Sequence, residues 1–210
     1  MLKTEPDNYA HRHRQATQTR NEIFTAATTL FNEKGFDKVT IREICSKAEV
    51  AIGTFYLHFK SKHEILYEFY PKADKIFANK QVSERNDLTT FEKILELIRI
   101  QLSTASIFHL QSDAIRQLYV YQLDSDNQYF LSEDRIFYKQ LYEIVGNGQA
   151  QNEIRRDISN HDICWRILRF SRGIIFDWCL NNCEYDIIEF AIQEVSFYLS
   201  SFRPGGYKIE

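Results

Sequence analysis

The chain has 210 residues, of which 44% are hydrophobic and 26% charged, a balance typical of a globular protein and unlike that of a disordered chain. It has no apolar run of the roughly 18 residues that span a bilayer and no apolar signal-peptide core, so we expect a cytoplasmic protein without a membrane partner. The net charge of -3 hides an asymmetry, because residues 1–62 hold 10 Lys and Arg against 7 Asp and Glu, which favours a polyanionic partner for the amino-terminal third.

The first helical pattern follows residues 1–18, a polar segment that we expect to form a flexible tail. From Ile23 to Phe31 apolar residues recur every three or four positions, as on the buried face of a helix. Gly35 stands where a carboxyl-terminal cap belongs. The sequence therefore predicts a helix from Thr19 to Lys34.

Two capping boxes predict the next helices. In "TIRE" at residues 40–43 and "SKHE" at residues 61–64, a hydroxyl residue precedes a glutamate by three positions, as at helix starts. Between them we expect a break near Glu49 and a short helix over residues 51–59.

Pro71 interrupts the pattern of the fourth helix, so we expect a kink or break there and a domain boundary after residue 70. Beyond it the pattern is helical throughout, with helix-length apolar stripes at 88–105, 110–124, 128–151, 160–182 and 185–202. The predicted fold class is all-α, with a three-helix head (residues 19–70) joined to a multi-helix bundle (residues 71–210).

Residues 40–59 have the layout of a helix-turn-helix motif. Phe55 and Phe59 suit the side of the second helix that packs on the head, whereas the other side carries groups that can bond to phosphates, or a glycine that lets a backbone come close. Such a helix fits the DNA major groove, about 12 Å wide. The alternative is that Tyr56 and His58 merely cover the edge of the head.

Residues 20–69 resemble the DNA-binding head of the TetR family of bacterial transcriptional repressors. The matching positions are Thr40, Ile44, Ala48, Val50, Gly53, Thr54, Tyr56, His58, Phe59, Ser61, Lys62, Ile65 and Leu66. Where the family often has Gly-Val-Ser-Lys, this chain has Glu49–Ile52, so apolar groups replace polar ones.

The resemblance implies a set of DNA-binding residues. Thr40, Tyr56, His58 and Lys62 would contact phosphates, which position the protein. Arg42 and Thr54 would contact bases, together with Ile52, which can contact a thymine methyl group. Gly53 would let the backbone approach the duplex.

The resemblance also implies a homodimer, in which two carboxyl-terminal helices pair with their copies. Two-fold symmetry then places the heads one DNA turn apart and predicts a palindromic operator. The apolar residues expected at this interface are Ile163, Ile167, Phe170, Ile174, Ile188, Ala191, Ile192, Val195 and Leu199.

The resemblance also implies a pocket in the bundle for a small-molecule inducer that releases the repressor from DNA, and the aromatic residues there suit a mostly apolar site. The candidate residues are Phe108, Tyr119, Tyr138, Tyr142, Trp165 and Phe176. Ordinary core packing is the alternative for each of them.

Other functions find less support in the sequence. There is no Gly-rich phosphate loop, nucleophile elbow or HExxH motif, so we expect neither an enzyme nor a cofactor. Cys179 and Cys183 match no strong zinc spacing, and Arg166, Arg169 and Arg172 form either an anion site or a solvated helix face. A helical adaptor whose head binds protein is the alternative function, and salt-dependent binding to DNA would distinguish the two.

Overall fold

A computed structural model describes residues 5–107, 112–124 and 129–205 of the chain. Within these ranges the chain forms α-helices and short 3₁₀ turns without a β-strand, which confirms the predicted fold class. The helices are α1 (Glu5–Lys34), α2 (Ile41–Lys47), α3 (Ile52–His58), α4 (Lys62–Tyr67), α5 (Phe69–Lys80), α6 (Thr90–Ile107), α7 (Ser112–Asp124), α8 (Ile136–Ala150), α9 (Asn160–Leu180) and α10 (Ile187–Leu199).

Helix α1 begins at Glu5, so the helix start predicted at Thr19 is wrong. Residues 10–18 are helical although their side chains are exposed, and no apolar stripe marks them in the sequence. A helix that is already packed extends easily, because each added residue gains a backbone hydrogen bond without a new nucleation step. The flexibility of this segment stays a prediction.

The capping box at α2 is confirmed in both directions. The Thr40 hydroxyl accepts a hydrogen bond from the Glu43 amide at 3.3 Å, and the Glu43 carboxylate accepts one from the Thr40 amide at 2.8 Å. At α4 only half of the expected pattern forms. The Ser61 hydroxyl accepts from the Glu64 amide at 3.2 Å, but the Glu64 carboxylate accepts from the amide of Lys60.

The helix break expected near Pro71 occurs three residues earlier, at Glu68, between α4 and α5. Pro71 itself lies in the first turn of α5. A proline is tolerated there because the first amides of a helix have no intrahelical acceptor. The proline therefore belongs to the start of the new helix.

The described residues pack as two compact units. The first consists of the residues up to Phe69 together with α7, and the second of α5, α6, α8, α9 and α10 with their turns. In the first unit α1 packs on α2 and α4, and α7 packs on α4. In the second, α6 packs on α8 and α10, and α9 packs on α8 and α10. The sequence did not indicate that α7 groups with the head.

Helix α8 begins at Ile136, later than the stripe that starts at residue 128 predicts. A 3₁₀ turn, Tyr129–Leu131, precedes it, and Arg135 is its amino-terminal cap residue. In the described part of the chain, no helix is long and apolar enough to cross a bilayer.

Candidate functional site

The turn between α2 and α3 orients the second helix of the motif. Glu49 has a positive φ of 55°, and the amide of Val50 donates to the carbonyl of Cys45 at 3.0 Å. Phe55 and Phe59, which are 0% and 1% exposed, then fix one side of α3 in the core of the head.

The opposite side of α3 projects from the protein. Gly53 and Leu57 lie one helical turn apart and point away from Phe55 and Phe59. Leu57 is 84% exposed, and a Cβ added to Gly53 would meet no atom within 4 Å. An approaching ligand would therefore meet bare backbone beside a projecting leucine.

The residues expected to contact DNA lie mostly on the surface of the head. Ile52 and Tyr56 are 45% and 54% exposed, whereas Thr54 and His58 are half-buried. Thr40, Arg42 and Gly53 are also exposed. None of these side chains is sealed inside the head, so all of them can take part in a contact with a duplex.

His58 is held by the packing at the end of α3. Burial lowers the pKa of its imidazole, and the positive charge of Arg20 lowers it further. The shift favours the neutral form of the ring, which can donate a hydrogen bond to a phosphate without adding a positive charge to the surface.

Lys62 has an environment that the sequence did not predict. Its ammonium donates to the carbonyl oxygens of Phe36 at 2.7 Å, Asp37 at 3.2 Å and Val39 at 3.1 Å. It also lies 4.5 Å from the centre of the Phe36 ring. An ammonium has three N–H donors, and here all three bind the turn between α1 and α2. A direct phosphate contact by Lys62 would compete with these bonds.

Sequence reasoning missed two residues of the head. Leu57 was not singled out, although its spacing of two residues from both Phe55 and Phe59 places it on the opposite side of the predicted helix. Arg20 lies 4.3 Å from the centre of the Phe59 ring, donates to Glu68 at 2.6 Å and also donates to the His58 carbonyl. Arg20 therefore links α1 to the end of α3 and to Glu68, the residue between α4 and α5.

Most of the residues expected at a dimer interface belong to the core of their own subunit. The buried ones are Ile163, Ile167, Ile174, Ala191, Val195 and Leu199, while Phe170, Ile188 and Ile192 are half-buried. The regular apolar stripe of each helix serves the packing of the second unit itself. A role of these residues at a dimer interface stays a prediction.

A different apolar face is exposed on α9 and α10. Phe176, Leu180, Phe190 and Phe197 are 57%, 66%, 37% and 81% exposed. Nearby, a groove of about 710 Å³ is lined by residues that include Phe170 and Tyr198, whose rings stack at 4.3 Å, and by the charged side chains of Arg166, Arg169, Asp177 and Glu194. We call these residues the α9–α10 face.

Arg172 does not belong to that groove, because its Nε donates to the Leu168 carbonyl at 3.1 Å and its guanidinium lies over the Trp165 ring. The three arginines therefore do not form one anion site. Within the described ranges, no group of three His, Cys, Asp or Glu side chains is placed to hold a metal ion.

The candidate ligand-binding aromatics are only partly brought together. In the second unit, the Tyr138 ring lies 6.0 Å from that of Tyr142 and 5.7 Å from that of Trp165. Phe176 does not share their surroundings, since it is part of the α9–α10 face. Tyr119 belongs to the first unit, and Phe108 lies outside the described residues.

A buried polar cluster in the second unit was not predicted. The Tyr129 hydroxyl donates to the Asp74 carboxylate at 2.8 Å, and burial raises the pKa of Tyr129. Arg135, which is 9% exposed, lies 4.6 Å over the Tyr129 ring. Among the described residues, Nε of Arg135 and Oδ1 of Asp74 are buried without a hydrogen-bond partner. Buried polar atoms without a hydrogen-bond partner are costly, so these two atoms suit a ligand with a polar group.

Comparison with known proteins agrees with the geometry of the head. The family model for bacterial regulatory proteins of the tetR family matches residues 23–69. The transposon Tn10 TetC protein of Escherichia coli is 36% identical over 92 residues, which cover 44% of this chain and 46% of TetC. The HTH-type transcriptional repressor KstR2 of Mycolicibacterium smegmatis is 25% identical over 170 residues, covering 78% of this chain and 80% of KstR2.

The whole fold has solved counterparts. The structure of the transcriptional regulator FadR from Bacillus subtilis, determined in complex with stearoyl-CoA, superposes with a TM-score of 0.60 at 23% identity. The match covers 85% of this chain and 95% of the FadR chain.

An amino-terminal helix-turn-helix head and an all-α remainder define a DNA-binding transcriptional regulator. Residues 23–69 match the TetR family of bacterial regulatory proteins, and a relative that is similar over most of the chain is named as a helix-turn-helix transcriptional repressor.

Proposed function

We propose that the protein is a repressor that binds a palindromic operator as a homodimer and leaves it when a small molecule binds the second unit. The observation that carries the proposal is the outward side of α3, where Gly53, Tyr56 and Leu57 project while Phe55 anchors the helix. Relatives named as repressors support the direction of regulation. Since the partner is DNA, the bacterial cytoplasm is the compartment in which we expect it to act.

The α9–α10 face supports the homodimer. A monomeric protein rarely leaves several large aromatic side chains exposed on one pair of helices. The groove also carries both Arg166 and Arg169 and the acidic Asp177 and Glu194. In a two-fold dimer the same patch meets its copy, so a surface with both signs of charge can be complementary to itself.

The buried polar cluster supports a ligand in the second unit. The buried Arg135 supplies a cation whose Nε has no hydrogen-bond partner among the described residues, and the rings of Tyr138 and Trp165, 5.7 Å apart in the same unit, supply apolar surface. We propose a small, mostly apolar ligand that carries one polar or anionic group. The FadR of Bacillus subtilis, which shares the fold, was crystallised with stearoyl-CoA, and this supports a regulatory small molecule.

Selection of bound duplexes from a random pool tests the proposed function. We expect enrichment of a palindrome whose half-sites lie about one DNA turn apart, roughly 34–36 Å. The affinity for the enriched duplex should fall steeply with salt, because phosphate contacts release counterions.

Two results would overturn the proposal. If no duplex is enriched and binding to DNA does not respond to salt, the adaptor function becomes the better explanation. If a single, non-repeated site is enriched by a monomer, the regulator stands but the homodimer and the palindrome do not.

A further inference from the structure

The outward side of α3 is apolar to an unusual degree. Helix α3 has seven residues, and three of them are large, hydrophobic and exposed. These are Ile52, Tyr56 and Leu57, which are 45%, 54% and 84% exposed. Leu57 lies in the middle of this side, opposite the buried Phe55, and the bare backbone of Gly53 lies one turn before it. A projecting side chain beside an unfilled space can enter a narrow recess in a partner.

The same helix lacks the side chains that usually read bases. Its sequence, IGTFYLH, contains no Arg, Lys, Asn, Gln, Asp or Glu, the residues that pair with base edges in the major groove. Thr54 and His58 can form hydrogen bonds, but both are half-buried at the flanks of the helix. In the major groove the apolar feature that distinguishes one base is the C5-methyl group of thymine.

We propose that Leu57, with Gly53 beside it, reads the methyl group of a thymine in each operator half-site. This inference rests on the proposed function, since it names the base feature that the same helix recognises. The contact is a hydrophobic one. Its strength therefore depends on the methyl group and not on the hydrogen-bonding edge of the base pair.

Replacing thymine by deoxyuridine tests the inference directly, because it removes the methyl group and leaves base pairing unchanged. The probe is the duplex enriched from the random pool, with the thymines replaced one position at a time. We expect at least one position per half-site at which the loss of the methyl group raises Kd about fourfold, the effect of one buried CH₂.

The variant Leu57→Ala tests whether Leu57 is the residue that contacts the methyl group. For this variant the thymine and deoxyuridine duplexes should bind equally, both at about the affinity of the wild type for deoxyuridine. Leu123→Ala is the matched control, since Leu123 is 85% exposed and lies on α7 of the same unit. It should keep the wild-type affinity and the full methyl dependence.

Several outcomes would overturn the inference. A wild-type protein that binds every deoxyuridine duplex as tightly as its thymine parent excludes methyl readout but leaves DNA binding intact. Methyl dependence that survives in Leu57→Ala and disappears in Ile52→Ala assigns the contact to Ile52 instead. Failure to enrich any duplex removes the proposed function as well, so the two failures are distinguishable.

Discussion

Side chains in the head either hold it together or project from it. Arg20 and Lys62 are cations that bind carbonyl oxygens and lie over aromatic rings, so their charge is used within the fold. Gly53 and Leu57 make no such contribution, because one has open space beside it and the other is 84% exposed. This division separates effects on stability from effects on DNA binding.

Gly53→Ala should weaken DNA binding without loss of stability. Alanine favours a helix over glycine by up to about 1 kcal/mol, and the added methyl group meets no protein atom within 4 Å. Denaturant unfolding should therefore show an unchanged or slightly higher free energy, while Kd for the enriched duplex rises about tenfold or more as the duplex is pushed away. A variant that binds as tightly as the wild type would contradict a close approach at Gly53.

Lys62→Met should destabilise the head. It removes three hydrogen bonds to carbonyl oxygens, and we expect a loss of about 1–3 kcal/mol in the free energy of unfolding. We expect the slope of log K against log salt to stay the same, because the carbonyl oxygens occupy all three donors of the Lys62 ammonium. Lys60→Met is the control, since Lys60 is exposed and its replacement should leave stability unchanged.

A slope smaller by about one unit in Lys62→Met, at wild-type stability, would instead support a direct phosphate contact.

Among the helices, α7 packs with the head, although its own sequence does not predict this. The Asp113 carboxylate accepts a hydrogen bond from the Phe36 amide at 2.7 Å, just after Gly35 ends α1 with a φ of 82°. The His63 ring lies between those of Phe36 and Tyr121, at 4.8 Å and 5.4 Å. Helix α7 therefore contacts the same turn that Lys62 binds, and changes in α7 can alter how α2 and α3 are held.

The capping box of α2 should make the head sensitive to acid. Hydrogen bonds from Lys34 and then from Thr40 lower the pKa of Glu43 from 4.5 to about 2. The Glu43 carboxyl group therefore binds a proton less readily in the folded chain than in the unfolded chain. Its contribution to the free energy of unfolding is complete above about pH 4.5 and is lost as the pH falls toward 2. Glu43→Gln should reduce the decrease in unfolding free energy across this window, measured by denaturant titration at several pH values.

Equal pH dependence in Glu43→Gln and the wild type would show that the exposed pair with Lys34 contributes nothing measurable. Glu33→Gln is a suitable control, because Glu33 pairs with Lys47 at 3.2 Å on the surface of the head and takes no part in the capping box.

For the whole molecule, the proposed homodimer depends on the α9–α10 face. Its aromatic residues are exposed in one subunit, while the regular stripes of both helices are buried in the core of the second unit. A dimer formed through this face would bring two copies of α3 to one operator. Binding by two linked heads is much tighter than binding by one.

Phe197→Glu should separate the subunits. Phe197 is 81% exposed in one chain, and a carboxylate there would be buried without a partner in the dimer. In size-exclusion chromatography with light scattering, the wild type should have twice the chain mass of 25.0 kDa and the variant should have that mass. Its affinity for the operator should fall at least about tenfold.

Leu131→Glu is the control for this experiment, since Leu131 is 50% exposed in the same unit but lies away from α9 and α10 in the sequence. A dimer that persists in Phe197→Glu, or a wild type that is a monomer, would exclude the α9–α10 face as the interface.

The sequence alone determined the local features of this protein. Capping at Thr40, the break after Glu49 and the inward positions of Phe55 and Phe59 depend on residues close to one another in the chain, so spacing was enough to predict them. The residues of the head also match the motif of a known family at the same spacing, so the resemblance could be recognised from the sequence. These features include the helix-turn-helix motif and most of the residues that project from it.

Only the tertiary structure decided which of two possible surfaces an apolar or charged side chain faces. Ile167 and Phe176 both lie on α9, yet the first packs in its own subunit and the second is exposed. Lys62 reaches carbonyl oxygens more than twenty residues away, and Asp113 reaches an amide still farther along the chain. Periodicity identifies an apolar face but not its partner, because the partner is chosen by packing between segments distant in sequence.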